Sequence, residues 1–137
     1  MMDRFQELLV GLGKLLSLPL HPDKQGVCKL SIQNELYVQL EYDPSRERML
    51  MATFICEMPP GKLRENIFRD ALKSHYPIPQ LGTLGYSERN NMLSLHLYIP
   101  IQNLTPEKCA ELLAAFIKKA KRWKEGVATG QTSQLNT

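Results

Sequence analysis

The residues of this chain best suited to catalysis or metal binding are its histidines, and they are spread along the sequence. His21, His75 and His96 fall in three separate predicted elements. Nucleophilic catalysis needs a nucleophile, a base and an orienting group within hydrogen-bond reach, and none of the short motifs that carry such groups is present. We therefore expect no enzyme activity, no metal and no cofactor. The alternative is a catalytic pair assembled only by folding, in which two histidines meet a carboxylate or a thiol.

The cysteines offer no redox or metal motif either. Cys28, Cys56 and Cys109 are odd in number and widely spaced, without a C-x-x-C pair. This pattern is typical of reduced thiols in a cytosolic protein. Each lies at an apolar position of its segment, so we expect three small buried side chains.

Two glycines three residues apart, Gly82 and Gly85 in GTLGY, resemble part of an anion-binding loop. A phosphate-binding loop follows a strand and opens a helix, whose N-terminus faces the anion. Here the glycines precede the strand-like run MLSLHLYIPI. The context therefore predicts a tight entry into a sheet.

A basic run, KKAKRWK at residues 118–124, combines cations with a tryptophan, which suits phosphates and stacked bases. Trp123, however, continues the apolar stripe of the predicted last helix, so it should face the core. The cations would then lie outward near the helix C-terminus, where the helix dipole favours them. Two interpretations remain: a solvated basic face, and a binding patch for an acidic protein or a nucleic acid.

Hydrophobic periodicity predicts eight elements in the order α-β-β-β-α-β-β-α. The first helix is capped by Asp3 and stopped by Pro19, and the last begins at Thr105 and ends at Gly126. Strands alternate at residues 28–32, 36–42, 49–56, 84–87 and 93–99, and a short helix spans 62–74. Short strands joined mostly by hairpins predict an α+β fold, a twisted antiparallel sheet packed by helices.

The chain has 137 residues, 43% hydrophobic and 23% charged, which fits one globular domain. We expect a single domain over residues 1–126 and a disordered polar tail over 127–137. The apolar N-terminal run is interrupted by Glu7 and Lys14, and no apolar stretch approaches the ~18 residues of a membrane span. These features predict a soluble, intracellular protein without membrane insertion.

The first helix is more apolar than a single core contact requires. Phe5, Leu8, Leu9 and Leu12 form one stripe, whereas Val10 and other apolar residues lie off it. A helix that is apolar on more than one side often has a second partner. This surplus favours a binding module whose ligand is another polypeptide.

Five ordered motifs carry a resemblance to a known family. They are F-x-x-L-L-x-x-L-G-x-x-L-x-L-P-L at residues 5–20, a hairpin with C-x-L-x-I and V-x-L-E, the helix start P-P-G-x-x-R-E, the run GTLGY followed by L-x-L-x-x-x-I-P-I, and L-T-x-E…F-I-x-x-A-x-x-W-K. Together they span residues 2–126. The chain resembles the specific chaperones of bacterial type III secretion systems, of the Tir-chaperone type.

The resemblance implies a homodimeric, non-enzymatic protein of the bacterial cytoplasm. Such chaperones bind a segment near the N-terminus of a secreted effector and keep it extended. They deliver it to the secretion apparatus, whose ATPase removes the cargo. Nucleic acid is then an unlikely partner. One departure is that members of the family are usually acidic, whereas this chain has a formal net charge of +3.

Residue roles follow from the resemblance by position. The first helix and the three-strand hairpin region would bind the effector, through Leu15, Leu16, Leu18, Leu20, Ile32, Leu36, Val38 and Leu40. The short second helix and the strand opened by GTLGY would form the dimer contact, through Ile67, Phe68, Leu84, Tyr86 and Leu93.

Overall fold

The computed structural model describes residues 3–75 and 81–136. The predicted α+β class and element order are confirmed. The elements are α1 (Arg4–Leu16), β1 (Val27–Ile32), β2 (Leu36–Asp43), β3 (Arg48–Glu57), α2 (Gly61–Ser74), β4 (Thr83–Ser87), β5 (Met92–Pro100) and α3 (Pro106–Thr129), followed by a 3-10 turn at Ser133–Asn136. We call this last element the C-terminal turn.

The strands form one antiparallel sheet in the order β1-β2-β3-β5-β4, so β1 and β4 are its two edges. The register aligns Cys28 with Leu40, Leu40 with Met51, and Met51 with Leu97. Because side chains alternate along a strand, these residues share one face, here called the inner face. The opposite, outer face carries the intervening residues, such as Gln39 and Ala52.

The core lies between the inner face and the helices α1 and α3. It is a continuous cluster of buried apolar side chains in which Trp123 and Phe116 of α3 are the largest. In contrast, α2 contributes few fully buried residues, namely Ile67, Asp70 and Ala71. The domain is therefore held mainly by α1, α3 and one face of the sheet.

Helix α1 begins and ends as the sequence indicates. Asp3 and Gln6 form a reciprocal capping box, which satisfies free N–H groups of the first turn. Phe5 is buried and stacks on Tyr42 of β2 with ring centroids 5.5 Å apart. The helix ends at Ser17, which takes a left-handed conformation (φ 57°), while Leu18 donates its N–H to the carbonyl oxygen of Gly13 at 2.9 Å.

Helix α3 extends beyond its predicted end. Thr105 and Pro106 start it as expected, but the helix continues through Gly126 to Thr129, and Gly130 caps it. Gly126 instead serves close packing, since a Cβ there would lie 2.7 Å from Leu135 Cδ1. The sequence predicts disorder from residue 127, whereas Val127 and Thr132 are buried. Polar composition does not reveal packing that depends on one missing side chain.

None of the helices in the described ranges combines the length and hydrophobicity needed to cross a lipid bilayer.

The two glycines of GTLGY differ in what they tolerate. Gly82 has φ +101°, and a Cβ there would lie 2.8 Å from the backbone carbonyl oxygen of His96. We expect Gly82→Ala to lower the free energy of unfolding by about 2 kcal/mol or more, because it combines a strained backbone with a clash. Gly85→Ala is the matched control, since a Cβ at Gly85 meets only the mobile hydroxyl of Ser94 at 3.1 Å. Urea denaturation of both variants checks this; equal losses would contradict it.

Candidate functional site

The structure separates His21 from the other two histidines, whereas His75 and His96 are close enough for the charge of His96 to lower the pKa of His75. His21 is exposed in the α1–β1 connection, and the His96 ring contacts the Tyr98 ring edge-on at 5.8 Å. His75 accepts a hydrogen bond from the backbone N–H of Leu84. Across residues 3–75 and 81–136, no group of three or more His, Cys, Asp or Glu side chains is placed to hold a metal ion.

The cysteines occupy surroundings that favour the neutral thiol. Burial raises the pKa of Cys109 to about 11, and it also raises the pKa of Cys28 and Cys56. The thiolate is the reactive form of cysteine, so a raised pKa lowers reactivity near neutral pH. Cys28 and Cys109 are small buried residues of the core, as the sequence predicts, whereas Cys56 is only partly buried against it.

The first candidate surface is the edge of β1 together with the end of α1, here called the β1-edge surface. Strand β1 pairs with β2 on one side, and no strand of the described chain lies on its other side. Leu15 and Leu18, at the end of α1, are 50% and 47% exposed. The Asp23 side chain accepts hydrogen bonds from the backbone N–H groups of Gln25 and Val27. These bonds shape the turn that precedes β1.

The eight residues predicted to bind the effector divide into two groups. Leu15 and Leu18 are exposed, and Leu16 and Ile32 are partly buried. The others are fully enclosed in the chain's own core: Leu20, Leu36, Val38 and Leu40. An enclosed side chain has no area left to bury on a partner, so only the first four are accessible for binding.

The outer face of the sheet carries apolar residues that sequence reasoning mostly missed. Tyr37, Phe54 and Tyr98 are exposed on neighbouring strands. A groove of about 440 Å³ runs beside Tyr37 and Phe54 and is lined also by Lys29, Gln39, Ala52 and His96. The weak alternation of β3 was the available signal, because a strand that is apolar on both faces loses the period-two pattern.

The second candidate surface lies on α2 and β4, here called the α2–β4 surface. Among the residues predicted for the dimer contact, Ile67, Leu84 and Leu93 are buried in the core of the single chain. Phe68 and Tyr86 are partly buried and contact each other edge-on at 5.3 Å. Leu72, which the sequence analysis did not select, is 70% exposed one helical turn from Phe68. The accessible apolar area on this side is therefore that of Leu72, Phe68 and Tyr86.

A polar cluster fixes the start of α2 against the β4–β5 hairpin. Arg64 donates to the side-chain oxygens of Asn91 and Tyr86 at 2.7 and 2.6 Å. Tyr86 in turn donates to Asn91 at 2.7 Å, and Asn91 donates to the carbonyl oxygen of Met58 at 3.0 Å. The guanidinium also lies over the rings of Phe68 and Tyr86. These contacts give a structural role to the arginine of the P-P-G-x-x-R-E motif.

The basic run of α3 is partly used within the chain. Lys121 donates to Gln33 at 2.7 Å and pairs with Glu35, and Lys124 donates to the carbonyl oxygen of Glu35 at 3.0 Å. These contacts fasten α3 to the turn between β1 and β2. Lys119 donates to the carbonyl oxygen of Gly82 at 3.3 Å. The run ends before the last turn of α3 and does not balance the helix terminus. Lys119, Lys121 and Lys124 instead contact neighbouring segments of the chain.

Comparison with known proteins identifies relatives of the whole domain. Residues 7–124 match the profile of the Tir chaperone protein (CesT) family. A chain of the HopA1-SchA chaperone-effector complex is similar in structure, with a TM-score of 0.74, 23% identity, and coverage of 91% of this chain and 99% of that one. No curated protein sequence matches the chain.

Two further solved structures show the same fold. A chain of the ExsC-ExsE complex gives a TM-score of 0.72 at 22% identity, covering 90% of this chain and 96% of that one. A chain of the ExoT-SpcS complex from Pseudomonas aeruginosa gives 0.67 at 18% identity, covering 89% and 98%.

The bond between His75 and Leu84 predicts a pH dependence of stability. The Nε2 atom accepts the Leu84 N–H at 2.9 Å, which requires an unprotonated nitrogen. Burial, followed by the charges of Lys119 and His96, lowers the pKa of His75 below its ordinary 6.5. Its contribution is therefore complete above pH ~6.5 and is lost as the pH falls below that value. Urea midpoints measured between about pH 7.5 and 5.5 should fall more steeply for the native chain than for His75→Gln.

The exposed His21 provides the control for this measurement. The urea midpoint of His21→Gln should depend on pH as that of the native chain does, because His21 is exposed and takes no part in the bond between His75 and Leu84. Identical slopes for the native chain and His75→Gln would show that the bond to Leu84 does not govern the dependence.

Proposed function

The chain belongs to the Tir chaperone protein (CesT) family, and on that premise we propose that it is a chaperone of a bacterial type III secretion system. It binds a segment near the N-terminus of a cognate secreted effector and keeps that segment extended. One solved structure of the same fold comes from a complex described as a chaperone-effector complex, which supports extending the role to this chain.

Two observations carry the proposal: β1 is an edge strand that no other strand of the described chain covers on its outer side, and the leucines at the end of α1 are exposed. An edge strand presents unpaired N–H and C=O groups, to which an extended peptide can add as a further strand. Leu15 and Leu18, with the partly buried Leu16 and Ile32, offer apolar contacts next to it. Main-chain bonds would supply affinity for an extended segment, and the apolar contacts would select its side chains.

The chaperone acts as a homodimer through the α2–β4 surface. Leu72 and Phe68 expose apolar area on a helix with little burial of its own. A two-fold axis through this surface would bring the same side chains of two copies together. Each dimer would then offer two β1-edge surfaces to one cargo chain.

The proposed role involves binding and release without chemical turnover. The chaperone works in the bacterial cytoplasm and presents its cargo to the secretion apparatus, whose ATPase separates the two. A peptide held by strand addition and a few leucines can be removed by pulling, because no covalent bond joins it to the chaperone.

Cargo binding should depend on the exposed leucines at the end of α1. Leu18→Asp and Leu15→Asp should each reduce cargo affinity tenfold or more, because a leucine contact is lost and a carboxylate would have to be desolvated. The test co-expresses the chaperone with candidate effectors of the same genome, followed by affinity purification and mass measurement. Binding should persist in about 0.5 M salt, since apolar burial and backbone pairing are not screened.

Phe54→Asp is the control, since Phe54 is equally exposed but lies on the outer face of the sheet. It should leave cargo affinity within about threefold. A chaperone that retains no effector segment would exclude the proposed function. Binding that is lost on neutralising Lys118 and Arg122 but retained by Leu18→Asp would exclude the β1-edge surface.

Self-association should depend on the exposed Leu72 of α2. Leu72→Asp should shift the dimer toward monomer by tenfold or more, because charges would then face each other across the two-fold axis. Sedimentation velocity over a concentration series measures this. Leu15→Asp should leave the dimer unchanged; a native chain that remains monomeric at all concentrations would refute the dimer.

A further inference from the structure

Helix α2 is attached to the rest of the chain with fewer buried apolar residues than α1 or α3. The element that α2 contacts most, within the described parts of the chain, is the C-terminal turn. Its fully buried apolar residues are only Ile67 and Ala71. A helix with so small an apolar contact needs other interactions to define its position.

A buried hydrogen bond supplies one such interaction. Thr132 donates its hydroxyl to the Asp70 carboxylate, with 2.6 Å between the oxygens. The two residues are 2% and 3% exposed and lie 62 positions apart in the sequence. The second carboxylate oxygen of Asp70 lies 3.8 Å from Arg69 Nε. A buried carboxylate is costly unless it is hydrogen-bonded, so this bond strongly favours one arrangement of the two segments.

The backbone conformation around Thr132 places its hydroxyl group against α2. Gly130 ends α3 in a left-handed conformation (φ +72°), and Gln131 donates its N–H to the carbonyl oxygen of Gly126 at 2.8 Å. Leu135 then packs where Gly126 lacks a side chain. The chain thereby folds back over the end of α3 and reaches α2.

We propose that residues 130–135 form a clamp on α2, and that Thr132 is the residue that positions this helix for self-association. The inference rests on the proposed dimer through the α2–β4 surface. Asp70 lies two residues before Leu72 and two after Phe68, so the bond fixes the backbone that carries both exposed apolar side chains. Release of the clamp leaves α2 held to the β4–β5 hairpin at its two ends, by Arg64 and His75. The middle of the helix, which carries Phe68 and Leu72, can then move, and the dimer surface loses its defined shape.

The experiment compares three substitutions of threonine in the otherwise complete chain. Thr132→Val keeps the shape of the side chain but leaves the Asp70 carboxylate without its donor. Thr132→Ser retains the hydroxyl donor and should therefore keep α2 in its native position. Thr129→Val is the matched control, because the Thr129 hydroxyl donates within its own helix, to the carbonyl oxygens of Glu125 and Gly126.

Amide hydrogen exchange of the native protein and the variants is the primary measurement. Thr132→Val should speed exchange over residues 62–74 at least tenfold, whereas exchange in α1 and β2 changes little. Thr132→Ser and Thr129→Val should match the native chain. Unchanged exchange in α2 of Thr132→Val, or equal acceleration throughout the domain, would overturn the clamp.

Sedimentation velocity tests separately whether the clamp affects the dimer dissociation constant. If α2 is released in Thr132→Val, the dimer dissociation constant should rise about tenfold, with cargo affinity per chain altered less. Faster α2 exchange with an unchanged dimer would overturn the link to self-association. If the native chain is itself monomeric, the dimer proposal fails, and the link to self-association falls with it. Exchange in α2 then decides by itself whether the clamp exists.

Discussion

Burial of the apolar stripe of α3 against one face of the sheet is the interaction on which the rest of the structure depends. Trp123 and Phe116 are its largest fully buried side chains, and they belong to one buried cluster with Leu40, Met51 and Leu95 from three strands. At roughly 25 cal/mol per Å² of apolar surface, two large aromatic side chains contribute several kcal/mol. Helices α1 and α3 both lie on the inner face, and the edge strands β1 and β4 each pair with one other strand of the described chain. The outer face keeps its exposed aromatic residues.

This asymmetry explains how a small domain can bind polypeptides without a deep pocket. The β1 edge offers backbone groups, and the end of α1 offers Leu15 and Leu18, which the core does not need. The opposite edge, β4, lies beside α2, where Leu72 is exposed. Cargo binding and self-association can therefore use opposite edges of one sheet without competing for the same residues.

Two of the three helices are attached by different physical means. Helix α1 is held by apolar burial of Phe5, Leu8, Leu9 and Leu12. Helix α2 has little apolar burial and is fixed by directional contacts, Arg64 with Tyr86 and Asn91 at its start and Asp70 with Thr132 further along. Apolar contacts tolerate small shifts, whereas a hydrogen bond holds one geometry. Directional contacts therefore suit the role proposed for α2, which is to present a defined surface to a second copy.

The sequence by itself determined the element order, the N-caps of α1 and α3, and the inward position of Trp123, because periodicity and capping are local properties of the chain. The motifs also pointed to the family. Only the tertiary structure decided which apolar residues remain exposed. Alternation in β2 shows that Leu36, Val38 and Leu40 face an apolar surface, but it does not say whether that surface belongs to the same chain or to a partner. The roles of Thr132 and Lys121 were equally invisible, since each depends on a contact with a residue more than 60 positions away.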